Sequence, residues 1–260
     1  MPTLVISGGS SGIGKATAML FAERGWRVFE LSRHGVSKDG ITHVDCDVTN
    51  EESTRQAIDE VLKQTKTIDV VISNAGFGIS GAVEFTAIRD AQKQMDVNFM
   101  GAVRLTQAVL PQLRQQRFGR IIYTSSVAAV LAVPYQSFYS ASKAAINALA
   151  LALANEVRAF GIKVSVMMPG DVSTGFTDAR EKSVAGEDVY KSANKAVSAM
   201  EKDERGGMQP IQMAKLFWHI ANCRSPKPQY VGGFVYGVFC FLDRILPKRL
   251  VNWIEGKMYS

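Results

Sequence analysis

The amino-acid sequence predicts an α/β fold in which one doubly wound parallel sheet carries helices on both faces. Short apolar runs alternate with segments of helical periodicity along most of the chain, and a glycine-rich turn follows the first run. Repeated β-α-β units of this length need right-handed crossovers, which place parallel strands side by side. Neither an internal repeat nor a low-complexity linker interrupts the 260 residues, so we expect a single domain over residues 1–260.

Strands are predicted at short, mainly apolar runs, as expected in a sheet covered on both faces. These runs are residues 3–7, 28–32, 41–46, 68–73, 120–124 and 163–168. Helices are predicted where apolar residues recur every three or four positions. They cover residues 13–25, 51–65, 98–116 and 138–160.

Two later segments depart from this alternation. Residues 172–208 are polar, charged and punctuated by glycine, which predicts a mobile substrate loop or lid rather than a core element. Residues 229–260 form a C-terminal extension with an uncharged aromatic run from Tyr230 to Leu242. That run is too short and too rich in glycine to predict a membrane span.

Composition and charge argue against several classes of function. The net charge of +6 is spread along the chain without a block of Lys or Arg, so we expect no nucleic-acid partner. The scattered cysteines and histidines predict neither a disulfide framework nor a metal site. The first residues run directly into a strand without a basic segment, so we expect no signal peptide and a cytoplasmic location.

A glycine-rich turn joins the first predicted strand to the first predicted helix. Its glycines follow the spacing G-x-x-x-G-x-G rather than the more common G-x-G-x-x-G. Glycine lets the backbone approach a pyrophosphate closely, and a helix start offers free N–H groups, although glycine in such turns is also often structural. We expect a dinucleotide to contact Gly8, Ser10, Ser11, Gly12, Ile13 and Gly14.

The end of the second predicted strand indicates which dinucleotide binds. An acid there would bind a ribose 2′-hydroxyl, whereas a cation would bind a 2′-phosphate. The position carries Ser32 and is followed by Arg33, so we predict NADP(H) as the cofactor. Glu30 lies on the same strand face two residues earlier, and we expect it to be too far back to reach the ribose.

A tyrosine and a lysine supply candidate catalytic chemistry. Tyr139 and Lys143 are four residues apart, so they share one helical face. A phenol with a pKa of about 10 is a poor base at neutral pH, and a neighbouring ammonium group would lower that pKa. Tyr139 would then exchange a proton with an alcohol oxygen while hydride moves at carbon, and Ser126 would polarise the same oxygen. The spacing Y-x-x-x-K alone occurs by chance on many helices.

Taken together, these motifs resemble the short-chain dehydrogenase/reductase family, which has a Rossmann-type sheet. Their order and spacing match from residue 3 to about residue 176, and Ser126 precedes Tyr139 by 13 residues, as the family's serine usually does. The matching elements are residues 7–14, Asp47-Val48, Asn74-Ala75-Gly76, Asn98, Ser126, Tyr139 with Lys143, and Pro169-Gly170.

The resemblance implies a role for each catalytic position. Tyr139 would be the acid/base, and Lys143 would bind the nicotinamide ribose as well as lower the tyrosine pKa. Ser126 would orient the carbonyl, while Asn98 would hold a helix kink and a proton-relay water. Helix capping is the alternative role of Asn98.

The resemblance also implies cofactor contacts beyond the glycine turn. Asp47 and Val48 would contact the adenine, and Thr174 would cap the nicotinamide amide, unless Thr174 only caps a turn. The remaining cofactor positions that we expect are Asn74, Ala75, Gly76, Pro169, Gly170 and Val172. Two residues depart from the family pattern: Ser7 replaces a threonine, and Ser73 replaces the first asparagine of an NNAG motif.

Beyond residue 176 the chain resembles the 17β-hydroxysteroid dehydrogenase and retinol dehydrogenase branch. The long insert after Thr174 and the tail over residues 225–250 carry this resemblance. It implies a bulky apolar alcohol or ketone, such as a steroid, a retinoid or a lipid-like carbonyl. An apolar pocket would suit that substrate, and candidates to line it, unless they are core residues, are Leu131, Val133, Pro134, Phe138 and Phe176.

Two other functions share part of this pattern. A 3-oxoacyl-thioester reductase has the same catalytic set, but members of that type usually lack the long insert and the extended tail. A non-catalytic, NADP-binding regulator typically lacks the tyrosine or the lysine, whereas this chain has both.

The C-terminal extension leaves two interpretations open. Residues 227–260 carry five basic and two acidic side chains among apolar ones, which would suit an interfacial helix that collects substrate from a membrane surface. We favour the alternative, a helix that packs on the pocket or on a second subunit. The family resemblance implies a homodimer or tetramer that pairs through the helices at 98–116 and 138–160.

Overall fold

Seven parallel strands form the central sheet in the computed structural model. The structure describes residues 1–183, 185–186 and 188–258, so Val184 and Glu187 of the predicted lid, with Tyr259 and Ser260 of the predicted extension, lie outside the described residues. The sheet strands are β1 (Thr3–Ser7), β2 (Arg27–Ser32), β3 (Ile41–Asp45), β4 (Val70–Ser73), β6 (Gly119–Thr124), β7 (Ile162–Pro169) and β9 (Gln229–Gly232). The short strands β5 (Ile79–Ser80) and β8 (Glu181–Lys182) pair separately.

The strand order creates a crevice near the middle of the sheet. It runs β3-β2-β1-β4-β6-β7-β9, so the chain starts at β1, moves outward to β3 and then crosses to β4 on the other side of β1. The chain therefore leaves β1 toward one edge of the sheet and leaves β4 toward the other edge. Ligands of open parallel sheets bind in the crevice beyond these carboxyl ends.

Nine helices are described around this sheet. They are α1 (Gly12–Glu23), α2 (Glu51–Gln64), α3 (Ile88–Met95), α4 (Gly101–Gln116), α5 (Ser137–Glu156), α6 (Ala193–Arg205), α7 (Pro210–Asn222), α8 (Phe234–Ile245) and α9 (Lys248–Met258). A π-helical turn, Asp96–Met100, joins α3 to α4. Within the described residues, no helix combines the length and the apolar character that crossing a membrane requires.

Each face of the sheet buries its own apolar cluster. Leu4 of β1 packs on one face with Phe21 of α1 and Phe217 of α7. Val5, the next residue in β1, points to the other face, where α2, α4 and α5 supply side chains such as Leu105. Alternate residues of one strand therefore enter two different cores, as expected for a sheet with helices on both sides. The predicted α/β fold with a doubly wound parallel sheet is confirmed.

The predicted elements are all present, with their ends shifted by two residues or fewer except at two helices. The predicted helix at 98–116 begins as the π-helical turn, and the one at 138–160 ends at Glu156 before a short 3-10 turn. The segment 172–208 is not a loop throughout, because residues 193–205 form α6, which buries Ala196 and Met200, while its role as a substrate lid stays a prediction. The helix α7 and the strand β9 were not predicted.

Removal of the Phe217 ring tests whether α7 belongs to the core. The side chain is fully buried, so Phe217→Ala should lower the free energy of unfolding by about 3–5 kcal/mol, measured by urea denaturation. Phe118, which is 41% exposed, provides the matched control, and Phe118→Ala should lower it by less than about 1 kcal/mol. Equal losses in the two variants would contradict this assignment.

Candidate active site

The turn between β1 and α1 has a backbone that requires glycine. Gly8 and Gly12 adopt left-handed φ angles of +66° and +52°, and a Cβ on Gly14 would overlap the carbonyl oxygen of Gly8. The side chain of Ser11, the residue before α1, makes no capping hydrogen bond to the helix. The first N–H groups of α1 are therefore left for an anionic group at the positive end of the helix dipole.

A cavity of about 1120 Å³ lies beyond the carboxyl ends of β1, β4, β6 and β7. It brings together most of the predicted site residues, which come from distant parts of the chain. Those that line it are Gly8, Ser11, Gly12, Ile13, Asn74, Ala75, Gly76, Ser126, Tyr139, Lys143, Pro169, Gly170, Val172 and Thr174. The predicted residues outside this lining are Ser10, Gly14, Ser32, Arg33, Asp47, Val48 and Asn98.

The side chains of Tyr139 and Lys143 lie together at the start of α5, as their spacing predicts. The Lys143 ammonium is 5.7 Å from the centre of the Tyr139 ring and donates a hydrogen bond to the carbonyl oxygen of Thr124 (3.0 Å). In return, the Ser125 hydroxyl donates to the carbonyl oxygen of Lys143 (2.9 Å). These two bonds tie the end of β6 to α5, so they fix the position of Ser126 relative to Tyr139.

Burial changes the proton affinity of both groups. Loss of hydration raises the pKa of Tyr139 to about 12, although its hydrogen bond with Ser126 acts in the opposite direction. Loss of hydration also lowers the pKa of Lys143 to about 8. Desolvation is therefore the largest effect on the Tyr139 pKa in the chain alone, and the lowering of that pKa by the Lys143 ammonium stays a prediction. Tyr139 is a protonated phenol at neutral pH.

Asn98 lies behind the cavity in the π-helical turn, and it holds backbone in place. Its side-chain oxygen accepts from the amide of Phe77 (3.0 Å), and its nitrogen donates to the Phe77 carbonyl (3.0 Å) and the Ser142 hydroxyl (3.1 Å). The neighbouring Gly76 leaves little room, since a Cβ there would lie 3.1 Å from the Asn98 side-chain oxygen and 3.4 Å from the Lys143 ammonium. Asn98 thus positions the floor of the site, while its proton-relay role stays a prediction.

Asn74 connects three segments at the carboxyl edge of the sheet. Its side-chain nitrogen donates to the Gly8 carbonyl (3.1 Å), and its side-chain oxygen accepts from the Thr124 hydroxyl (3.2 Å). The Ser7 hydroxyl accepts from the backbone amides of Asn74 (3.0 Å) and Ala75 (3.2 Å). Serine in place of threonine at position 7 therefore retains two hydrogen bonds between β1 and the segment after β4.

Thr174 lies opposite the glycine turn. A Cβ added to Gly12 would be 3.4 Å from the Cβ of Thr174, so the two segments meet across the cavity. The Thr174 hydroxyl also accepts a hydrogen bond from the amide of Phe176 (3.2 Å). Thr174 therefore has the turn-capping contact of the alternative interpretation as well as a place in the lining.

Two charged residues at the end of β2 differ in exposure: Glu30 is buried, whereas Arg33 faces solvent. Glu30 is buried beneath Gly9, and its carboxylate accepts hydrogen bonds from Ser32 (3.2 Å) and the His43 ring. Burial alone would lower the pKa of His43, but hydrogen bonds to Asp45 and Glu30 outweigh that effect and raise it. The Glu30 carboxylate is thus turned toward β3, whereas the Arg33 guanidinium is exposed.

The predicted adenine-binding pair lies beside this end of the sheet. The Thr49 amide, which donates to the Asp47 carboxylate (2.9 Å), holds the Asp47 pKa below its usual value, with smaller effects from Arg33 and Arg104. Val48 is buried against Gly101 at the start of α4. Asp47 is therefore ionised and within electrostatic reach of Arg33.

The wall of the cavity farthest from the glycine turn is apolar, and the C-terminal helices build much of it. Leu131, Val133 and Phe176 line the cavity as predicted, whereas Pro134 and Phe138 do not. The C-terminal extension packs on the pocket, as we favoured from the sequence, although the sequence did not show which of its side chains face the cavity. Those that line it, from α8, α9 and the turn between them, are Val235, Tyr236, Phe239, Leu242, Asp243, Leu246, Val251, Ile254 and Glu255. The aromatic run at 230–242 was the available signal, but periodicity alone could not show which side of it faces the cavity.

A second set of contacts that the sequence did not reveal ties the 172–208 segment to Tyr139. The Phe176 ring lies 5.8 Å from the Tyr139 ring, and the buried Arg180 guanidinium lies 5.6 Å from Phe176. Arg180 forms an ion pair with Glu204 of α6, whose carboxylate also accepts from the Thr177 hydroxyl (2.7 Å). These contacts fix the segment over the catalytic groups.

Comparisons with known proteins agree with this geometry. Residues 2–185 match the family described as short chain dehydrogenase. A 3-ketodihydrosphingosine reductase from Bacteroides thetaiotaomicron is 39% identical over 262 residues, with 99% of this chain and 97% of that protein covered. The 3-oxoacyl-(acyl-carrier-protein) reductase MabA from Mycobacterium avium is 30% identical over 200 residues, with 76% and 78% covered.

A solved structure gives the same result for the fold. The crystal structure of a short-chain dehydrogenase from Streptomyces avermitilis superimposes with a TM-score of 0.84 at 27% identity, and the match covers 98% of this chain and 97% of that chain. The chain therefore belongs to the short-chain dehydrogenase/reductase family of oxidoreductases.

Proposed function

We propose that this enzyme interconverts a ketone or aldehyde and the corresponding alcohol on a bulky apolar substrate, with NADP(H) as the cofactor. The observation that carries the proposal is the continuity of the cavity. One end holds the glycine turn, Ser126, Tyr139 and Lys143, and the other end is walled by apolar side chains of α8 and α9. A cavity of about 1120 Å³ has room for a dinucleotide headgroup and a large substrate together.

The residues present fit a nicotinamide dinucleotide. The left-handed Gly8 and Gly12 and the open N-terminus of α1 form a cradle for its pyrophosphate, which any side chain at Gly14 would destroy. When bound, the dinucleotide supplies or accepts the hydride. The exposed Arg33, with Glu30 turned away toward His43, supports NADP(H) over NAD(H), because a guanidinium pairs well with a 2′-phosphate.

The proton chemistry follows from the burial of Tyr139. A phenol with a pKa of about 12 carries its proton at neutral pH, so it is ready to give that proton to a carbonyl oxygen that becomes an alkoxide. Ser126 would donate a hydrogen bond to the same oxygen, and the Lys143 ammonium would stabilise the phenolate that remains. The protonated phenol is the form of Tyr139 that reduction of a carbonyl requires.

A long-chain ketone that carries an amino group is a specific candidate substrate. The relative from Bacteroides thetaiotaomicron is named for reduction of such a compound. The apolar wall would hold its chain, and carboxylates in the lining would attract its ammonium group. These carboxylates are Asp171, Asp203 and Glu255, since Glu204 and Asp243 of the lining form ion pairs with Arg180 and Lys248.

A 3-oxoacyl thioester is the second candidate, since the relative from Mycobacterium avium is named for that reduction. Thioesters of this kind carry a phosphate-bearing pantetheine arm. The carboxylates of the lining would repel that phosphate, so the cavity favours the amino ketone.

Consumption of NADPH with a panel of carbonyl compounds tests the proposal. We expect turnover with long-chain 3-keto amines and other bulky apolar ketones, and slower turnover with 3-oxoacyl thioesters.

Tyr139→Phe should reduce the rate by about 10²–10⁴-fold because it removes the proton donor, while NADPH affinity measured by fluorescence titration stays unchanged. Phe138→Leu, next to it but outside the lining, serves as the control. Full activity of Tyr139→Phe would rule out the mechanism, and no turnover with any carbonyl would rule out the function.

Charge reversal at Arg33 tests the choice of cofactor. Arg33→Asp should weaken NADPH binding by about 10- to 100-fold, since it replaces a phosphate partner with a repelling charge, and it should leave NADH binding nearly unchanged. Arg89, which is 88% exposed in its side chain on α3, gives the matched control Arg89→Asp. Equal weakening of both cofactors by Arg33→Asp would refute NADP(H) specificity.

The pH dependence of reduction tests the role of Lys143. As the pH rises through about 8, the buried ammonium loses its proton and no longer stabilises the phenolate. The kcat/KM for reduction should therefore be level below pH 8 and fall above it, by about tenfold for each pH unit. In Lys143→Arg the charge persists, so its residual activity should lack this inflection. A wild-type profile that is flat to pH 10 would contradict the assignment.

A further inference from the structure

The helix α8 presents large apolar side chains to solvent along one face. Phe234, Val238, Phe241 and Ile245 are 87%, 39%, 61% and 60% exposed, and their spacing places them on a single stripe. The opposite face of the helix makes polar contacts beside apolar side chains that line the cavity. There, Asp243 is buried with a salt bridge to Lys248 (2.6 Å), and Tyr236 donates to the Asp171 carboxylate (2.5 Å). An amphipathic surface helix usually exposes polar side chains, so an outer stripe of large apolar ones is unusual.

The helix α9 continues this pattern. Leu250, Trp253 and Ile254 are at least 40% exposed, while Val251 and Glu255 are turned inward. We call the exposed apolar side chains of the two helices that do not line the cavity the terminal face. Its members are Phe234, Val238, Phe241, Ile245, Leu250 and Trp253.

Charges in the two helices are segregated in the same way. Asp243 and Glu255, their acidic residues among those described, both line the cavity. The basic residues are instead exposed, and they are Arg244, Lys248, Arg249 and Lys257. The solvent side of α8 and α9 is therefore both apolar and positively charged.

We propose that the terminal face docks on the surface of an anionic lipid membrane. Its aromatic and aliphatic side chains enter the boundary between headgroups and acyl chains, and the exposed basic side chains contact lipid phosphates. Trp253 belongs at such a boundary, because its ring is apolar and its N–H is polar. The inner sides of the same helices line the cavity through Val235, Phe239, Leu242 and Val251, so the docked face is continuous with the wall of the active site.

A second copy of the chain fits this face less well. A symmetric dimer would place the face against itself and would bring the basic side chains of both copies around one contact, where like charges repel. An anionic surface attracts the same side chains. The pairing implied by the family resemblance uses α4 and α5, which leaves α8 and α9 uncovered.

Flotation of the full-length, NADPH-loaded protein with vesicles tests this proposal. We expect binding to vesicles of phosphatidylcholine mixed with phosphatidylglycerol, and weaker binding to phosphatidylcholine alone. Phe241→Gln combined with Trp253→Gln should reduce vesicle partition at least about tenfold, because two large apolar groups no longer leave water. The matched control is Val36→Gln combined with Ile88→Gln, since these residues are 80% and 69% exposed on other elements.

The charge contribution is measured separately. Arg244→Gln combined with Arg249→Gln should reduce partition into the anionic vesicles about tenfold or more and leave binding to phosphatidylcholine unchanged. NADPH titration and circular dichroism verify that each variant is folded, and neither readout depends on the substrate.

Three outcomes would overturn the proposal. One is a wild-type protein that binds neither kind of vesicle. Another is a control pair, Val36→Gln with Ile88→Gln, that reduces binding as much as the substitutions in the terminal face. The third is loss of an oligomer in size-exclusion chromatography on substitution of Phe241 and Trp253 without any vesicle binding, which would assign the face to a second copy.

Discussion

Burial of a phenol and an ammonium group side by side on α5 is the constraint on which the site depends. Lys143 is 4% exposed, and its ammonium needs a hydrogen-bond acceptor in place of water. The Thr124 carbonyl at the end of β6 provides that acceptor, and Ser125 returns a hydrogen bond to the Lys143 carbonyl. The strand and the helix that carry Ser126 and Tyr139 are consequently held in one register by the same requirement that positions the catalytic charge.

The residues behind Tyr139 and Lys143 form hydrogen bonds with one another, and the side of the pair that faces the cavity stays open. Asn98, released from regular helix geometry by the π-helical turn, uses its amide group on the Phe77 backbone and the Ser142 hydroxyl. This arrangement brings Gly76 against the Lys143 ammonium without a side chain between them. Desolvation raises the Tyr139 pKa and lowers the Lys143 pKa. A polar ligand that enters the cavity would stabilise both groups, because it would replace the hydrogen bonds with water that burial removes.

Features set by local sequence could be predicted, and those set by tertiary contacts could not. The glycine turn, the six strands and the shared face of Tyr139 and Lys143 follow from spacing alone. The helix α7 had a usable signal that was missed, with Pro210 at its start and Met213, Phe217 and Ile220 at helical spacing. The strand β9 has four residues and ends in glycine, which leaves no periodicity to detect.

The direction of the Tyr139 pKa shift and the orientation of Glu30 are set by tertiary contacts. The first depends on how completely several distant segments exclude water from the phenol. The second depends on His43, which lies on the neighbouring strand and donates a ring N–H to the carboxylate. Neither the segments that surround Tyr139 nor the partner of Glu30 can be identified from the residues that flank Tyr139 or Glu30 in sequence.

The inner face of α8 is anchored at the same catalytic edge of the sheet. The Tyr236 ring packs directly on the backbone of Gly170, where a Cβ would overlap it, and its hydroxyl reaches Asp171. Gly170 and Asp171 follow β7 and begin the segment that carries Thr174. The inner face of the helix therefore contributes Tyr236 and Asp243 to the wall of the active-site cavity, and its outer face exposes large apolar side chains together with Arg244. The surface that we propose docks on a membrane and the wall of the cavity are thus two faces of one helix.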